Sequence, residues 1–589
     1  MTDRSMGLPG APATGVLSRP VVAAHRLSQR LQGAPAWPAA AVLCTGLGAY
    51  FWWDEGDFYN VLFTAAVTGA LVAFAALLSR RVLFASVLVT ALVALIIAAA
   101  STKRATMNMV VHAYDLYFYL SSLSTVSYLW SDQRRYVVAA AAIVLAVAIV
   151  AAFAFRLDAS RVARGRAAAA CALLVLLAWY GAASKAERRH MQFYFEDLYV
   201  SSFYASWGET IEAFWRGALL EADPHSGVAP PLAIPTRCDL AAAPSSARPP
   251  HIILIHEESV VPPSLFPSLG YDHGLDPFFR SADGTSRRLR VETYGGASWL
   301  TEFSLLAGVS TYSFGSMRQF VQTFMQGRLK DTLPQALERC DYRNVVFYPL
   351  HRNFVSNDKF YSSIGMREIF DMKAQGAKSA QERDRFYFDN ALDEMGRHFK
   401  RSRRPLFTFI QTMSAHWPYD VTFAPEESVP GGDPGTDPEM HEYLRRLSLT
   451  KRDYDYLVGE LRRRFPHERF LIVHYGDHQP TATRTLLGYD RETEAEDVAL
   501  DPDSIGFITY YAVQGVNYAV PPLPAYETLD VSYLGSVILD LAGLPLSDSH
   551  RERLWLMSLC EGRYYRCSRR GAILRFHRRL IDSGVVAAR

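Results

Sequence analysis

The chain has 589 residues, of which 50% are hydrophobic and 20% are charged, and its formal net charge is +2. This length is too great for one ordinary domain. The near-neutral charge, without a dense block of lysine and arginine, argues against nucleic acid as a partner. The sequence before about residue 185 is rich in alanine, leucine and valine, whereas the sequence after about residue 190 resembles that of a soluble enzyme.

Five apolar stretches in the first part predict membrane-spanning helices. Each is close to the roughly 20 residues that a helix needs to cross the hydrocarbon core. A cleaved signal peptide is a poor alternative for the first stretch, because four more follow it and no clear cleavage site is present. The predicted spans are residues 37–53, 59–78, 82–100, 137–155 and 167–184, after an N-terminal tail of residues 1–36.

The charges between these spans predict their orientation. Arginines are concentrated in the tail and between the fourth and fifth spans, whereas an acidic loop follows the first span. The positive-inside rule then places the N-terminus in the cytoplasm, and five crossings place the chain after about residue 185 outside. Four basic residues after the third span weaken this pattern. Residues 110–123 in the same loop are amphipathic and predict either an interfacial helix on the outer leaflet or an ordinary structured loop.

The outer part contains four of the six cysteines, in a compartment where disulfides persist. Cys560 and Cys567 are close enough in sequence to form a bridge, but the sequence alone does not fix the pairing of these two with Cys238 and Cys340. The other two cysteines, Cys44 and Cys171, lie in predicted spans and are interpreted as packing residues.

A linker, residues 185–249, precedes an outer domain in which strand and helix patterns alternate over residues 250–589. Nearly continuous apolar strands separated by helices predict an α/β domain with a largely parallel sheet covered by helices on both faces. The long amphipathic segment 440–464 is the clearest predicted helix. The predicted strands are residues 251–257, 344–350, 405–412, 469–478 and 508–514.

Polar residues follow three of these strands, where ligands of such sheets gather. Glu258 and Ser259 end the first strand, Asp477 and His478 follow the fourth, and His416 lies just beyond the third. Carboxylates with an imidazole form a plausible set for a divalent metal ion. Taken singly, each has an ordinary interpretation: a helix start, a turn or a packed loop histidine. Their joint occurrence at strand ends favours a site.

Ser298, in the segment TYGGASWLTEF, has two interpretations. A serine at the start of a helix is commonly an N-cap, which accepts a hydrogen bond from a backbone N–H of the first turn. A serine that follows small residues and faces a metal ion is instead a candidate nucleophile. The two roles are compatible, because free N–H groups at a helix start also attract phosphate.

Taken together, these motifs resemble those of the lipoteichoic acid synthase and phosphoglycerol transferase group of the alkaline phosphatase/sulfatase superfamily. The similarity covers the five spans and most of residues 250–545. It implies a metal site formed by Glu258 in HEES, Ser298 in GGASWLTEF, and Asp477 and His478 in GDH. Glu257 is the fallback ligand if the strand register differs by one residue. The implied metal is Mn²⁺ or Mg²⁺, with Zn²⁺ possible.

The resemblance also implies a reaction. Ser298 is the expected nucleophile, where the family usually has threonine, and His416 in HWPY is expected near the transferred group. The expected enzyme is a bacterial inner-membrane transferase. It moves a phosphoglycerol-type head group from phosphatidylglycerol to a glycan or lipid acceptor of the cell envelope. The alternatives are a phosphoethanolamine transferase or phosphodiesterase of the same superfamily, and a non-enzymatic membrane sensor or scaffold.

Two departures from related patterns qualify these expectations. The family often grips glycerol phosphate with an arginine in a Phe-Trp-Asn-Arg-Asp-like segment, but here that segment is FVSND, so Asn357 replaces the arginine. Arg352 lies nearby and is the candidate to compensate. Sulfatases mature a Cys or Ser in a Cys/Ser-x-Pro-x-Arg motif, and Trp-Leu-Thr-Glu follows Ser298 instead. Sulfate ester hydrolysis by that route is therefore not expected.

Overall fold

The computed structural model describes most of the chain outside the N-terminal tail and several connecting segments. The described residues are 36–56, 58–107, 110–118, 130, 134–184, 198–216, 220–224, 230–235, 237–238, 248–354, 357–431, 437–491, 493, 498, 500 and 503–587. Residues 119–123 of the predicted interfacial helix and much of the predicted linker lie outside these ranges. The chain divides into two compact units, of which the first comprises Met1–Thr102, Arg135–Glu187 and Leu198–Ser201, and the second comprises the remainder.

The described residues of the first unit form long apolar helices at all five predicted spans. They are α1 (Ala36–Asp54), α2 (Phe58–Ser79), α3 (Val82–Met107), α5 (Arg134–Leu157) and α6 (Arg164–Ser184). The short helix α4 (Ala113–Phe118), between α3 and α5 in the sequence, belongs to the second unit. Four of these helices are long and apolar enough to cross a membrane: α2, α3, α5 and α6. The predicted count of five spans is therefore supported for four of them, and α1 falls short of that standard.

The second unit contains the remaining helices and one eight-stranded sheet. The strands are β1 (His251–Glu257), β2 (Arg287–Arg290), β3 (Arg343–Phe347), β4 (Glu368–Phe370), β5 (Leu406–Gln411), β6 (Phe470–Gly476), β7 (Ile508–Val516) and β8 (Thr528–Asp530). The helices are α7 (Tyr199–Arg216), α8 (Trp299–Ala307), α9 (Val321–Phe324), α10 (Leu333–Arg339), α11 (Asn357–Ser363), α12 (Met372–Gln375), α13 (Asp384–Arg401), α14 (Pro438–Arg464), α15 (Val531–Leu541), α16 (Asp548–Leu559) and α17 (Arg570–Asp582). Short 3₁₀ segments connect several of these elements.

The sheet is mixed, and five of its seven strand pairings are parallel, so the prediction of a largely parallel sheet is confirmed in part. Its strand order is β4-β3-β5-β1-β6-β7-β2-β8. The block from β4 to β6 is parallel throughout, and β2 pairs with β8 in parallel. Strand β7 runs antiparallel to both of its neighbours, β6 and β2. Strand β7 starts beside the carboxyl end of β6, so the connection between these two strands needs no crossover helix.

The five predicted strands all form, whereas β2, β4 and β8 were not predicted. These three have only three or four residues each, too few to show an alternating or continuous apolar pattern. All seven residues of strand β1 are buried. Its alternate side chains enter two different cores: Ile252 and Leu254 on one face, Ile253 and Ile255 on the other. Both faces are therefore covered, as predicted.

Two disulfides lie in the second unit. Cys560 pairs with Cys567, as their short separation allowed, and Cys238 pairs with Cys340 across 102 residues. Cys44 and Cys171 are unpaired. Cys340 and Cys560 lie at the C-terminal ends of α10 and α16, and Cys238 lies in the segment before β1.

Candidate metal and nucleophile site

The end of β1 separates the two adjacent glutamates. Glu258 accepts hydrogen bonds from Ser259 Oγ at 3.0 Å and Ser298 Oγ at 2.9 Å. Glu257 instead accepts a hydrogen bond from Thr412 Oγ1 at 3.1 Å, and burial raises the pKa of its carboxyl well above the usual value. The different neighbours follow from the strand period of two, which directs adjacent side chains to opposite faces. Glu258 therefore faces Ser298, and the fallback ligand Glu257 does not.

The end of β6 brings Asp477 and His478 beside Glu258. Gly476 makes this approach possible, because a Cβ atom there would lie 1.9 Å from the carbonyl oxygen of Val260. Asp477 Oδ1 accepts hydrogen bonds from the N–H groups of Ser259 and His478, each at 2.8 Å. These bonds leave Asp477 Oδ2 directed into the site.

Ser298 lies at the start of α8 but does not cap it. No side-chain capping hydrogen bond is made by Ser298, whose hydroxyl instead donates to Glu258 Oε2. The preceding Ala297 has a φ of 59°, a left-handed conformation that is uncommon for residues other than glycine. The loop is held to the end of β6 by two hydrogen bonds: Gly295 N–H to Gln479 O at 3.1 Å, and Thr301 Oγ1 to Asp477 O at 2.7 Å. The hydroxyl of Ser298 is thus directed at Glu258 and not at the backbone of α8.

Four polar side chains surround one point at the carboxyl ends of the neighbouring strands β1 and β6. His478 Nε2 lies 3.1 Å from Glu258 Oε1, 3.3 Å from Asp477 Oδ2 and 3.4 Å from Ser298 Oγ. Ligands held about 2.1 Å from one ion are separated from each other by about 3.0–3.4 Å, depending on the coordination angle. The predicted set Glu258, Ser298, Asp477 and His478 therefore has separations that fit a shared metal ion.

The protonation of His478 also fits a metal ligand. Its Nδ1 lies 2.9 Å from the carbonyl oxygen of Gln479, which can only accept a hydrogen bond. Nδ1 is therefore a donor, and Nε2 faces the carboxylates, where its lone pair can bind an ion once this nitrogen is deprotonated, as in metal-bound histidines. Burial alone would lower the pKa of His478, but the carboxylates of Asp477 and Glu258 raise it to about 9. The two carboxylates beside this imidazole therefore stabilise a positive charge at this point.

His256 joins this cluster and was missed by sequence reasoning. One atom each of His256, Glu258 and Asp477 lies within 4.8 Å of the others, and all three side chains are buried. His256 Nε2 is 3.1 Å from Asp477 Oδ2. The signal that could have identified it is the spacing His-x-Glu at the end of a buried strand, since residues 256 and 258 face the same way.

His416 lies on the loop after β5. Burial raises the pKa of the Glu258 carboxyl, but His478 and, to a smaller extent, His416 lower it, so that the pKa of Glu258 lies below its usual value. The Nδ1 atom of His416 faces the carbonyl oxygen of Trp417 and must donate to it. Nε2 is therefore the ring nitrogen that can exchange a proton with a substrate. The side chain is partly exposed, as a group that meets a substrate should be.

A buried arginine holds the His416 loop in place. The guanidinium of Arg446 donates to the carbonyl oxygens of His416 at 2.6 Å, Pro418 at 2.7 Å and Val421 at 2.8 Å. Its Nε donates to Glu442 at 2.7 Å, and its side chain is fully buried. Sequence reasoning did not identify this residue, because nothing in the pattern of α14 indicates which arginine faces the sheet.

The two predicted head-group residues do not join the cluster. Arg352 is exposed, and its guanidinium lies 3.4 Å from the carbonyl oxygen of Ile369. Asn357 is buried, and its Nδ2 donates to the hydroxyl of Tyr348 at 2.8 Å. Their role in substrate binding stays a prediction.

Comparison with known proteins shows what the second unit is similar to. Residues 280–499 match the Sulfatase family. Over this region the chain is sulfatase-like. The matched region includes Ser298, His416, Asp477 and His478, whereas Glu258 precedes it. The predicted sulfatase-like character of the protein is thereby confirmed.

More distant similarities extend over larger parts of the sulfatase-like chain. An uncharacterised protein of Haemophilus influenzae is 23% identical over 317 residues, which are 51% of this chain and 52% of that protein. The chain thus spans about half the length of this curated relative. Among solved structures, the phosphoglycerol transferase GacH of Streptococcus pyogenes is 16% identical, with a TM-score of 0.45, over 58% of this chain and 87% of its own.

A second solved structure is similar over more of the sulfatase-like chain. It is the integral membrane lipooligosaccharide phosphoethanolamine transferase EptA of Neisseria meningitidis, 13% identical with a TM-score of 0.47, over 85% of this chain and 95% of its own. Similarities at this level of identity and TM-score do not indicate which head group is used.

Proposed function

We propose that this protein is a metal-dependent membrane transferase. It moves a phosphoglycerol-type head group from a phospholipid to an acceptor outside the cytoplasm, through a phosphoserine intermediate on Ser298. The observation that carries this proposal is the direction of the Ser298 hydroxyl, which donates to Glu258 and lies 3.4 Å from His478 Nε2. A serine that served only the helix would turn its oxygen toward the N–H groups of α8.

The first half of the reaction is an attack on phosphorus. The Ser298 oxygen forms a bond to phosphorus, its proton leaves to a neighbouring base, and the bond between phosphorus and the diacylglycerol oxygen breaks. A divalent ion, when bound by Glu258, Ser298, Asp477 and His478, would stabilise the serine alkoxide and the charge on the phosphoryl oxygens. The geometry and chemistry of these donors suit Mn²⁺, Mg²⁺ or Zn²⁺.

His416 is the proposed proton carrier. In its imidazolium form His416 carries a proton on each ring nitrogen: Nδ1–H donates to the Trp417 carbonyl oxygen, and Nε2–H can protonate the departing diacylglycerol oxygen. In the second half of the reaction the same nitrogen accepts a proton from the acceptor hydroxyl, which attacks phosphorus and releases Ser298. Arg446 keeps this loop fixed through three carbonyl groups, so His416 is a catalytic residue in the proposal and Arg446 is a positioning residue.

The apolar helices supply the location. A phospholipid presents its head group at the membrane surface, and anchoring the site there raises the effective substrate concentration. The two disulfides of the outer domain fit an oxidising, extracytoplasmic compartment. The proposed location is therefore a bacterial inner membrane, with residues 250–589 as the catalytic domain outside, and a glycan or lipid of the cell envelope as the acceptor.

One observation favours a second candidate, a phosphoethanolamine transferase. The position where the resembling family has an arginine for glycerol phosphate is Asn357, whose amide is buried against Tyr348. The compensating Arg352 extends toward the carbonyl oxygen of Ile369 instead. Without a cation at this position, the site lacks the feature that would favour a glycerol phosphate over a smaller head group.

The proposal is tested by identifying what becomes attached to Ser298. The intact protein in detergent is incubated with Mn²⁺ and either phosphatidylglycerol or phosphatidylethanolamine, and the peptide containing Ser298 is analysed by mass spectrometry. We expect a glycerol phosphate adduct from phosphatidylglycerol. A phosphoethanolamine adduct alone would select the second candidate.

The variants of Ser298 supply matched controls. Ser298→Ala and Ser298→Asn should form no adduct and show no transfer, whereas Ser298→Thr should retain reduced activity because a hydroxyl remains. Substantial transfer by Ser298→Asn would refute the phosphoserine intermediate. The absence of any adduct and any transfer with both lipids would favour a non-enzymatic membrane protein.

A further inference from the structure

We propose that His256 is an additional ligand of the metal ion, and that it shifts the preference of the site from Mg²⁺ toward transition metal ions. The inference rests on the metal site of the proposed function and adds to it one residue that the sequence motifs do not contain. Glu258, Ser298, Asp477 and His478 are the four ligands that the motifs predict.

The position of His256 supports direct ligation. Its Nε2 lies 3.1 Å from Asp477 Oδ2, which itself lies 3.3 Å from His478 Nε2. These separations are the same as those within the predicted ligand set, so the two imidazoles flank one carboxylate oxygen. Separations of this size are expected for ligands of a single ion.

Two buried atoms without hydrogen bonds point to the same conclusion. His256 Nε2 and Asp477 Oδ2 are both inaccessible to solvent, and neither has a hydrogen-bond partner among the described residues. The two atoms lie 3.1 Å apart, within ion-pair distance of each other. Leaving a buried polar atom unpaired costs about 1–3 kcal/mol. A cation between these two atoms would satisfy both.

Tyr475 determines which nitrogen of His256 faces the site. His256 Nδ1 lies 2.8 Å from the Tyr475 hydroxyl, on the adjacent strand β6. When Nδ1–H donates to that hydroxyl, Nε2 is unprotonated and directs its lone pair at Asp477. Metal-bound histidines are usually held in this way, with the second nitrogen donating to a neighbouring acceptor.

A second imidazole changes the chemistry of the site. Mg²⁺ prefers oxygen ligands and near-octahedral geometry, whereas Zn²⁺ and Mn²⁺ accept imidazole nitrogen more readily. A site formed by His256, His478, two carboxylates and a serine oxygen is therefore better suited to Zn²⁺ or Mn²⁺. The test is whether the loss of His256 weakens these ions selectively.

The experiment compares metal binding by the intact protein and by His256→Gln in detergent, using Zn²⁺, Mn²⁺ and Mg²⁺ added singly. We expect the variant to lose at least about tenfold in affinity for Zn²⁺ and Mn²⁺, and little for Mg²⁺. Pulsed electron paramagnetic resonance of the Mn²⁺-loaded protein should detect two coordinated imidazoles in the parent and one in the variant.

His474→Gln is the matched control. His474 is also fully buried, on β6, and its Nδ1 lies 3.0 Å from the hydroxyl of a tyrosine, Tyr510. It faces the opposite side of the sheet, beside Glu257. His474→Gln should disturb the core as much as His256→Gln does, but should leave metal affinity and the count of two imidazoles unchanged.

The outcomes separate this inference from the proposed function. A single imidazole in the parent protein, or an equal loss of affinity for all three ions, would overturn the role of His256 as a ligand. Neither result affects the adduct expected on Ser298. Conversely, two imidazoles without any lipid-derived adduct would sustain the ligand and refute the transferase.

Discussion

Glu302 is buried in the first turn of α8, four residues after Ser298. Replacing it with glutamine should make the free energy of unfolding depend less on pH. Its carboxylate accepts hydrogen bonds from Tyr361 Oη at 2.9 Å, Gln411 Nε2 at 2.7 Å and Gln322 Nε2 at 3.0 Å. Burial nevertheless raises its pKa from 4.5 to about 7, against the opposing charge of His256 and these donors. Folding therefore favours the protonated form.

The sign and size of the effect follow from this shift. In the unfolded chain the carboxyl ionises near pH 4.5, whereas in the folded protein it keeps its proton until about pH 7. The stability from the neutral carboxyl is fully present below pH 4.5 and is lost between pH 4.5 and about pH 7. A shift of about 2.5 units corresponds to about 3 kcal/mol.

Glu302→Gln removes this titration while keeping the shape of the side chain. The amide oxygen can accept the bonds from Tyr361 and Gln411, and the amide nitrogen then faces Gln322. The Oε1 atom of Gln322 is buried and has no partner among the described residues, so a flip of that side chain accepts the new N–H. We therefore expect the variant to fold without a steric cost.

Thermal unfolding of the intact protein in detergent at about pH 5 and about pH 8.5 measures the effect. Relative to the parent, Glu302→Gln should gain about 3 kcal/mol between the two pH values, a shift in Tm on the order of 5 °C. Other buried carboxyls with raised pKa values, such as Asp384 and Asp530, cancel in this comparison. Glu527→Gln, at a side chain that is 88% exposed, is the control that should show no such gain. A difference between variant and parent that is equal at both pH values would refute the buried, protonated Glu302.

Four further outcomes are expected. Ser298→Ala should lower the free energy of unfolding by no more than about 1 kcal/mol, because it loses one hydrogen bond and no helix cap. A loss of about 2 kcal/mol, measured by calorimetry, would instead indicate that Ser298 caps α8. Asp477→Asn should abolish both Mn²⁺ binding, measured by titration calorimetry, and transfer; retained binding would remove it from the ligand set. Arg446→Lys should lower kcat and leave metal affinity unchanged, because lysine cannot hold three carbonyl groups; an unchanged kcat would show that the loop does not need it. Reporters fused after residue 190 should be active only outside the cytoplasm and those within residues 156–166 only inside; the reverse would indicate that α1 (Ala36–Asp54) does not cross.

Local patterns in the sequence were enough to predict several elements and their chemistry. The run HIILIHE is continuously apolar up to its end, so a buried strand followed by a carboxylate was predictable, and the same holds for LIVHYGDH in β6. Because parallel strands end at one edge of a sheet, the convergence of Glu258, Asp477 and His478 could be inferred before their distances were known. The apolar stretches likewise predicted the positions of the long helices, since length and hydropathy are properties of the local sequence.

The tertiary structure decided the features that depend on the direction of a side chain or on a distant partner. Ser298 could have capped α8, but the left-handed turn at Ala297 and the bond from Gly295 to Gln479 direct its hydroxyl at Glu258. Strand β7 was predicted from its own residues, but its antiparallel direction depends on the path of the chain after β6.

Two further features depend in the same way on contacts between residues that are far apart in the sequence. They are the ligand role proposed for His256 and the hydrogen bonds by which Arg446 holds the loop of His416. Asp477 lies 221 positions after His256, and Arg446 follows His416 by 30. A sequence pattern reports the period of a helix or strand and therefore the face on which a residue lies. It does not report which atom from another element meets that face, because that is set by the packing of the whole sheet and its helices.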